Sequence, residues 1–128
     1  MDKKKTILVI DDMKQVRNIL KFSLKKVGYE VSVTSSGKEA LKYVFDENPL
    51  DLILLDINMP DMDGYEVLRK LRESEVTKHI PIIFLTAEGQ KRDIQKGIEA
   101  GINDYVVKPF KFADLQRRIE KLIARKND

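Results

Sequence analysis

Three short runs in this chain are almost wholly apolar: "TILVI" (6–10), "LDLILLD" (50–56) and "IPIIFLT" (80–86). Runs of that length without alternation fit strands buried on both faces, and they are far too short to span a bilayer. Two further strand-like segments differ: "YEVSVT" (29–34) alternates, as a strand with one better-solvated face would, and "DYVV" (104–107) is short. Helical spacing fills the intervals. Val16, Ile19, Leu20, Leu24 and Val27 lie on one face of a first helix that stops at Gly28, and Phe112, Leu115, Ile119, Leu122 and Ile123 face inward from the last. "SGKE" (36–39) and "DGYE" (63–66) read as capping boxes, opening helices whose inner faces carry Ala40, Leu41, Val44 and Phe45, and Val67, Leu68 and Leu71. A fourth helix, about 91–100, ends at Gly101.

Strands alternating with helices imply a parallel sheet covered on both sides. Placing the alternating second strand at one edge and the short fifth strand at the other gives the order 2-1-3-4-5, which right-handed crossovers allow. The expected fold is therefore a flavodoxin-like (βα)5 three-layer sandwich forming a single domain over residues 1–128.

Composition narrows the chemistry. With 42% hydrophobic and 35% charged residues the chain is too apolar for disorder, and "MDKKKTILVIDD" is too soon interrupted by carboxylates to be a signal peptide, so a cytoplasmic protein is expected. There is no cysteine, which excludes disulfides, thiolate metal sites and thiol nucleophiles. The net charge of +3 is spread without interleaved aromatics, and no direct nucleic-acid contact by this domain is expected.

In such a sheet every strand's carboxyl end lies on one rim, and ligands bind there beside strands one and three. That topology brings Asp11 and Asp12 (strand one), Asp56 (strand three), Thr86 (strand four) and Lys108 (strand five) to one crevice. Carboxylates so close raise one another's pKa unless a cation sits among them, and with no His or Cys in the group Mg²⁺ is the natural candidate. A lysine, a hydroxyl and a carboxylate nucleophile beside Mg²⁺ are the parts that phosphoryl transfer requires.

"DD" at 11–12, "LLDINMPDMDG" around Asp56, "LTA" at 85–87 and "YVVKPF" at 105–110 resemble the receiver domains of two-component response regulators, over essentially the whole chain. The resemblance implies that Asp56 accepts a phosphoryl group from a histidine kinase's phosphohistidine, in a transfer the receiver itself catalyses. It further implies that Asp12, Asp56 and the backbone carbonyl of Asn58 hold Mg²⁺ directly, with Asp11 acting through water, while Lys108 bridges to the phosphoryl group and Thr86 senses it. Asn58 and Glu88 would tune the lifetime of the phosphorylated form, which is expected to be short. Thr86 and Tyr105 would move together and reshape a face made by the fourth helix, fifth strand and fifth helix, including Lys91, Tyr105, Lys111 and Phe112, where an output protein or phosphatase binds.

Among receivers, Asn58, "TAE" (86–88) and "YVVKPF" are most similar to the single-domain chemotaxis proteins, and the chain closes at its fifth helix with "RKND". These features imply a stand-alone, monomeric receiver. The alternative is the receiver fragment of a DNA-binding response regulator, dimerising on phosphorylation through Asp104 and Arg117 or Arg118. A phosphohydrolase of the haloacid dehalogenase type is remote, because its two carboxylates stand two residues apart and here they are adjacent. Blander roles compete for single residues: Asp12 as a helix cap, Tyr105 as a half-buried strand aromatic, "DMDG" (61–64) as turn plus cap, His79 as surface, and Met13, Met59 and Met62 as packing.

Overall fold

The structure, a computed structural model, describes residues 3–46, 49–59, 64–87 and 91–126. Apolar runs and helical stripes fold into β1 (Thr6–Ile10), α1 (Lys14–Lys26), β2 (Glu30–Thr34), α2 (Gly37–Phe45), β3 (Leu52–Asp56), α3 (Gly64–Glu73), β4 (Ile82–Ala87), α4 (Lys91–Ala100), β5 (Asp104–Lys108) and α5 (Phe112–Lys126). All four strand pairings are parallel and the order is β2-β1-β3-β4-β5, as the sequence pattern predicts. β3 is buried at every position, and β1 and β4 nearly so. β2 and β5 take the two edges.

Two apolar layers flank the sheet. Leu8, Ile10, Ile53, Leu55 and Phe84 face Ala40, Val44, Val67, Leu68 and Leu71 of α2 and α3, whereas Ile7, Val9, Leu54 and Leu85 face Leu20, Leu24, Leu115 and Ile119 of α1 and α5. Each such aliphatic side chain stabilises the fold by about 1.5–3 kcal/mol on burial, which is what holds ten short elements in one register. Among the described residues no helix is long and apolar enough to cross a membrane.

The helix ends follow local chemistry. The Ser36 hydroxyl accepts the Glu39 N–H at 3.1 Å, so the first capping box forms at its N-cap, although the Glu39 carboxylate accepts from the Ser35 hydroxyl. Asp63, the proposed cap of α3, lies outside the described residues, as do Asp61 and Met62. Gly28 and Gly101 both take positive φ just past α1 and α4, which a side chain would resist.

Three inward assignments fail. Ile19 is 63% exposed, and Val27 and Phe45 are also exposed. α1 meets the sheet through the narrow i, i+4 stripe of Leu20 and Leu24, and Ile19 lies one residue, about 100°, off that line. Val27 is already the C-cap, outside the helical geometry that the periodicity assumed, and Phe45 is the last residue of α2.

Candidate functional site at the carboxyl rim

At the end of β1 the chain turns sharply. The Asp11 N–H still donates to Thr34 O of β2 at 3.2 Å, but the Asp11 Oδ1 then accepts the Met13 N–H at 2.9 Å and the Arg17 guanidinium donates to Asp11 O at 2.9 Å. Asp11 is fully buried and Asp12 exposed. Met13 is the N-cap of α1 and makes no side-chain cap, so the capping role considered for Asp12 is not observed; the orphan Met13 N–H goes to Asp11 instead. At the end of β3, Asp56 is 5% exposed and its Oδ1 accepts the Asn58 N–H at 3.1 Å. α3 begins directly against this segment: a Cβ on Gly64 would stand 2.7 Å from the Ile57 Cα and 3.1 Å from the Asp56 carbonyl oxygen, so only glycine permits the approach.

Lys108, 97 residues from Asp11 in sequence, closes the cluster from β5. Its ammonium lies 2.8 Å from Asp11 Oδ2 and 3.8 Å from Asp56 Oδ2. The primary partner of the lysine is thus Asp11, which the sequence did not indicate. Asp11, Asp12 and Asp56 each offer an oxygen within 4.8 Å of the others. Burial pushes the Asp56 carboxyl up from 3.8 to about 7; the Asp11 charge and the Asp12 carboxyl push the same way, against the Asn58 N–H and the Lys108 ammonium. One lysine does not neutralise three carboxylates. The donor set is all oxygen, rich in negative charge and open at Asp12, which fits a hard divalent cation such as Mg²⁺.

Thr86 is fully buried near the end of β4, one residue beyond Leu85, the partner of Asp56 in the sheet. Its hydroxyl contacts Ala87 O at 3.3 Å. Tyr105 pairs with Phe84 and Val107 with Thr86, and both β5 side chains are partly exposed, Tyr105 at 37%. Lys91 and Lys111 are exposed. Phe112 is half-buried: it and Phe110 both pack against the core formed with α1 and α5, and Phe110 also lines the outer face. A shallow groove of about 400 Å³ runs along Tyr105, Val107, Phe110, Lys111, Asp114 and Arg118. Val107, Phe110 and Asp114 were missed by sequence reasoning, as was Arg17. "YVVKPF" contained two of them, but nothing in its pattern says which side chains stay exposed. Met59 is buried as packing and His79 exposed, as expected, whereas Met13 is exposed; Glu88 lies outside the described residues.

The model of the response regulator receiver domain matches residues 7–120. The chain belongs to the response regulator receiver family. Two curated relatives of this receiver are the "Probable transcriptional regulator ycf27" of Cyanophora paradoxa, 46% identical over 95% of the chain and 49% of the relative, and the alkaline phosphatase synthesis transcriptional regulatory protein PhoP of Bacillus subtilis, 39% identical over 94% and 49%. The receiver thus spans about half the length of these relatives. Among solved structures, chemotaxis response regulator CheY4 of Vibrio cholerae matches with TM-score 0.87 and 31% identity over 94% of this chain and 99% of its own. The receiver domain of a Pseudomonas aeruginosa sensor histidine kinase, which carries a magnesium ion in its active-site cleft, matches with TM-score 0.87 and 34% identity over 95% and 99%. The receiver fold with its 2-1-3-4-5 sheet and a role in two-component signalling follow from this membership.

Proposed function

We propose that the chain is the receiver part of a DNA-binding response regulator and takes a phosphoryl group on Asp56 from a histidine kinase. The observation that carries the reading is the buried Asp56 carboxyl held between Asp11, Asp12 and the Lys108 ammonium at the carboxyl rim. Asp11, Asp12, Asp56 and the Asn58 carbonyl would hold Mg²⁺. The ion supplies neutralisation of the clustered carboxylates and of the phosphoryl oxygens.

An Asp56 carboxylate oxygen attacks phosphorus; a P–O bond forms, the P–N bond to the donor imidazole breaks, and that electron pair leaves with the imidazole nitrogen. The Asn58 N–H, already on Asp56 Oδ1, orients the carboxylate so that Oδ2, on the Lys108 side, meets the phosphorus. Lys108, 3.8 Å from Asp56 Oδ2, is the cation placed to pair with a phosphoryl oxygen there. The Thr86 hydroxyl then gains a charged acceptor, a bond worth about 1.5–3 kcal/mol, enough to bias a two-state loop tenfold or more.

The chemotaxis output suggested by Asn58 and "YVVKPF" has less support than the transcriptional alternative, because the curated relatives above are described as transcriptional regulators. The β5–α5 face supports that alternative physically. Asp104 and Asp114 alternate with Arg117 and Arg118 beside the exposed Tyr105 and Val107, a patch carrying both charge signs that can complement its own copy about a two-fold axis. Arg118 spans Asp104 at 2.7 Å and Asp114 at 3.0 Å within the chain, and in a dimer one of these pairs would exchange across the axis. Sedimentation velocity with beryllofluoride and Mg²⁺ tests it: the wild type shifts to a dimer, and Arg118→Glu stays monomeric. A wild-type chain that remains monomeric overturns the self-associating output.

A further inference from the structure

We propose that Arg17 is a positioning residue for the carboxylate cluster: it fixes the peptide between Asp11 and Asp12 and thereby sets how far Asp12 reaches toward the cation. This rests on the phosphoryl-transfer reading above. Successive side chains of an extended strand point to opposite faces, so two adjacent aspartates can serve one crevice only if the chain turns between them. The turn is held at three points. Thr34 O fixes the Asp11 N–H and Asp11 Oδ1 fixes the Met13 N–H, but the Asp11–Asp12 peptide between them is held through its carbonyl by Arg17 Nη1 at 2.9 Å. Rotation of that peptide plane swings the Asp12 Cα–Cβ direction, and Asp12, unlike the buried Asp11 and Asp56, is exposed.

The guanidinium bonds a carbonyl and not a carboxylate, so it organises the acids while leaving their oxygens to the metal. Lys108, by contrast, occupies Asp11 Oδ2. A second feature points the same way. α2, α3, α4 and α5 each carry an acid in the first turn, as the helix dipole favours, whereas α1 carries none and begins with Lys14 and Arg17. Cations at that end are unfavourable for the helix itself and favourable only for the acidic rim it faces.

Calorimetric titration with Mg²⁺ tests the role. Removal of a side chain that orients a metal ligand costs on the order of tenfold in affinity, so Arg17→Ala should bind Mg²⁺ about tenfold more weakly, and Arg17→Lys, which can still donate once to Asp11 O, should recover part of the loss. Thermal unfolding in EDTA should stay one cooperative transition within a few degrees of the wild type, as the loss of one part-buried hydrogen bond allows. Labelling by acetyl phosphate should be slow at low Mg²⁺ and return to the wild-type rate at saturating Mg²⁺. Wild-type Mg²⁺ affinity in Arg17→Ala, or a labelling defect that saturating Mg²⁺ leaves in place, overturns the positioning role. A wild-type chain that binds no Mg²⁺ would instead overturn the functional reading beneath it.

Discussion

Asp56 is held in a state that favours its proton, and the consequence reaches beyond the chemistry. Its folded pKa of about 7 stands above the ordinary 3.8, so between those values the folded chain keeps a proton that the unfolded chain has lost. Stability contributed by this group therefore falls as pH rises from about 4 to about 7 and is flat beyond. Without metal at pH 8, Asp56→Asn should unfold at higher urea than the wild type, by at least about 1 kcal/mol, and the advantage should vanish near pH 4. Saturating Mg²⁺ should remove it too, since the cation takes over the neutralising role. Urea midpoints at the two pH values, with and without the ion, check this, and equal midpoints at pH 8 would contradict it. The acids and the lysine were legible in the sequence because topology alone sends every strand end to one rim. Arg17 was not, because its bond goes to a backbone carbonyl and leaves no residue-type signature.

Between elements, Arg72 of α3 does what no sequence motif announced. Its guanidinium donates to Gly101 O at 3.0 Å, Lys78 O at 3.0 Å, Ile80 O at 2.8 Å and Asn103 Oδ1 at 3.0 Å, joining α3 to the turn before β4 and to the turn between α4 and β5. These are carbonyl and amide oxygens, and desolvation holds its pKa below the ordinary value. Arg72→Ala should cost about 2 kcal/mol in chemical denaturation by leaving several acceptors without a donor, and Arg72→Lys should rescue little, since one ammonium cannot reproduce a planar fork. A loss within about 0.5 kcal/mol would assign those carbonyls to water. At this scale the apolar strands were read correctly because burial on both faces leaves little choice of residue type. The facing of α1 was not: periodicity marks an apolar stripe, but only packing against the sheet decides that Leu20 and Leu24 are buried while Ile19 and Phe22 are left outside.

For the molecule as a whole, the fold and the crevice form one statement. A 2-1-3-4-5 parallel sheet puts β1 and β3 side by side, and their ends deliver three carboxylates that only a cation or a proton can reconcile. In the same sheet Asp56 pairs with Leu85 of β4, whose neighbours Thr86 and Phe84 pair with Val107 and Tyr105 of β5, so the register leads from the crevice to the exposed face. The β5–α5 face was the part least legible in advance, because "YVVKPF" does not say that Tyr105 and Val107 stay exposed while Phe110 and Phe112 both pack against the core, a choice made by packing and not by the local motif. The central claim is that Asp56 receives the phosphoryl group, and intact-mass spectrometry after incubation with acetyl phosphate tests it most directly. The wild type should gain the mass of one phosphoryl group with Mg²⁺ and none in EDTA, and Asp56→Asn should gain none in either; labelling of Asp56→Asn at the wild-type rate would contradict the account.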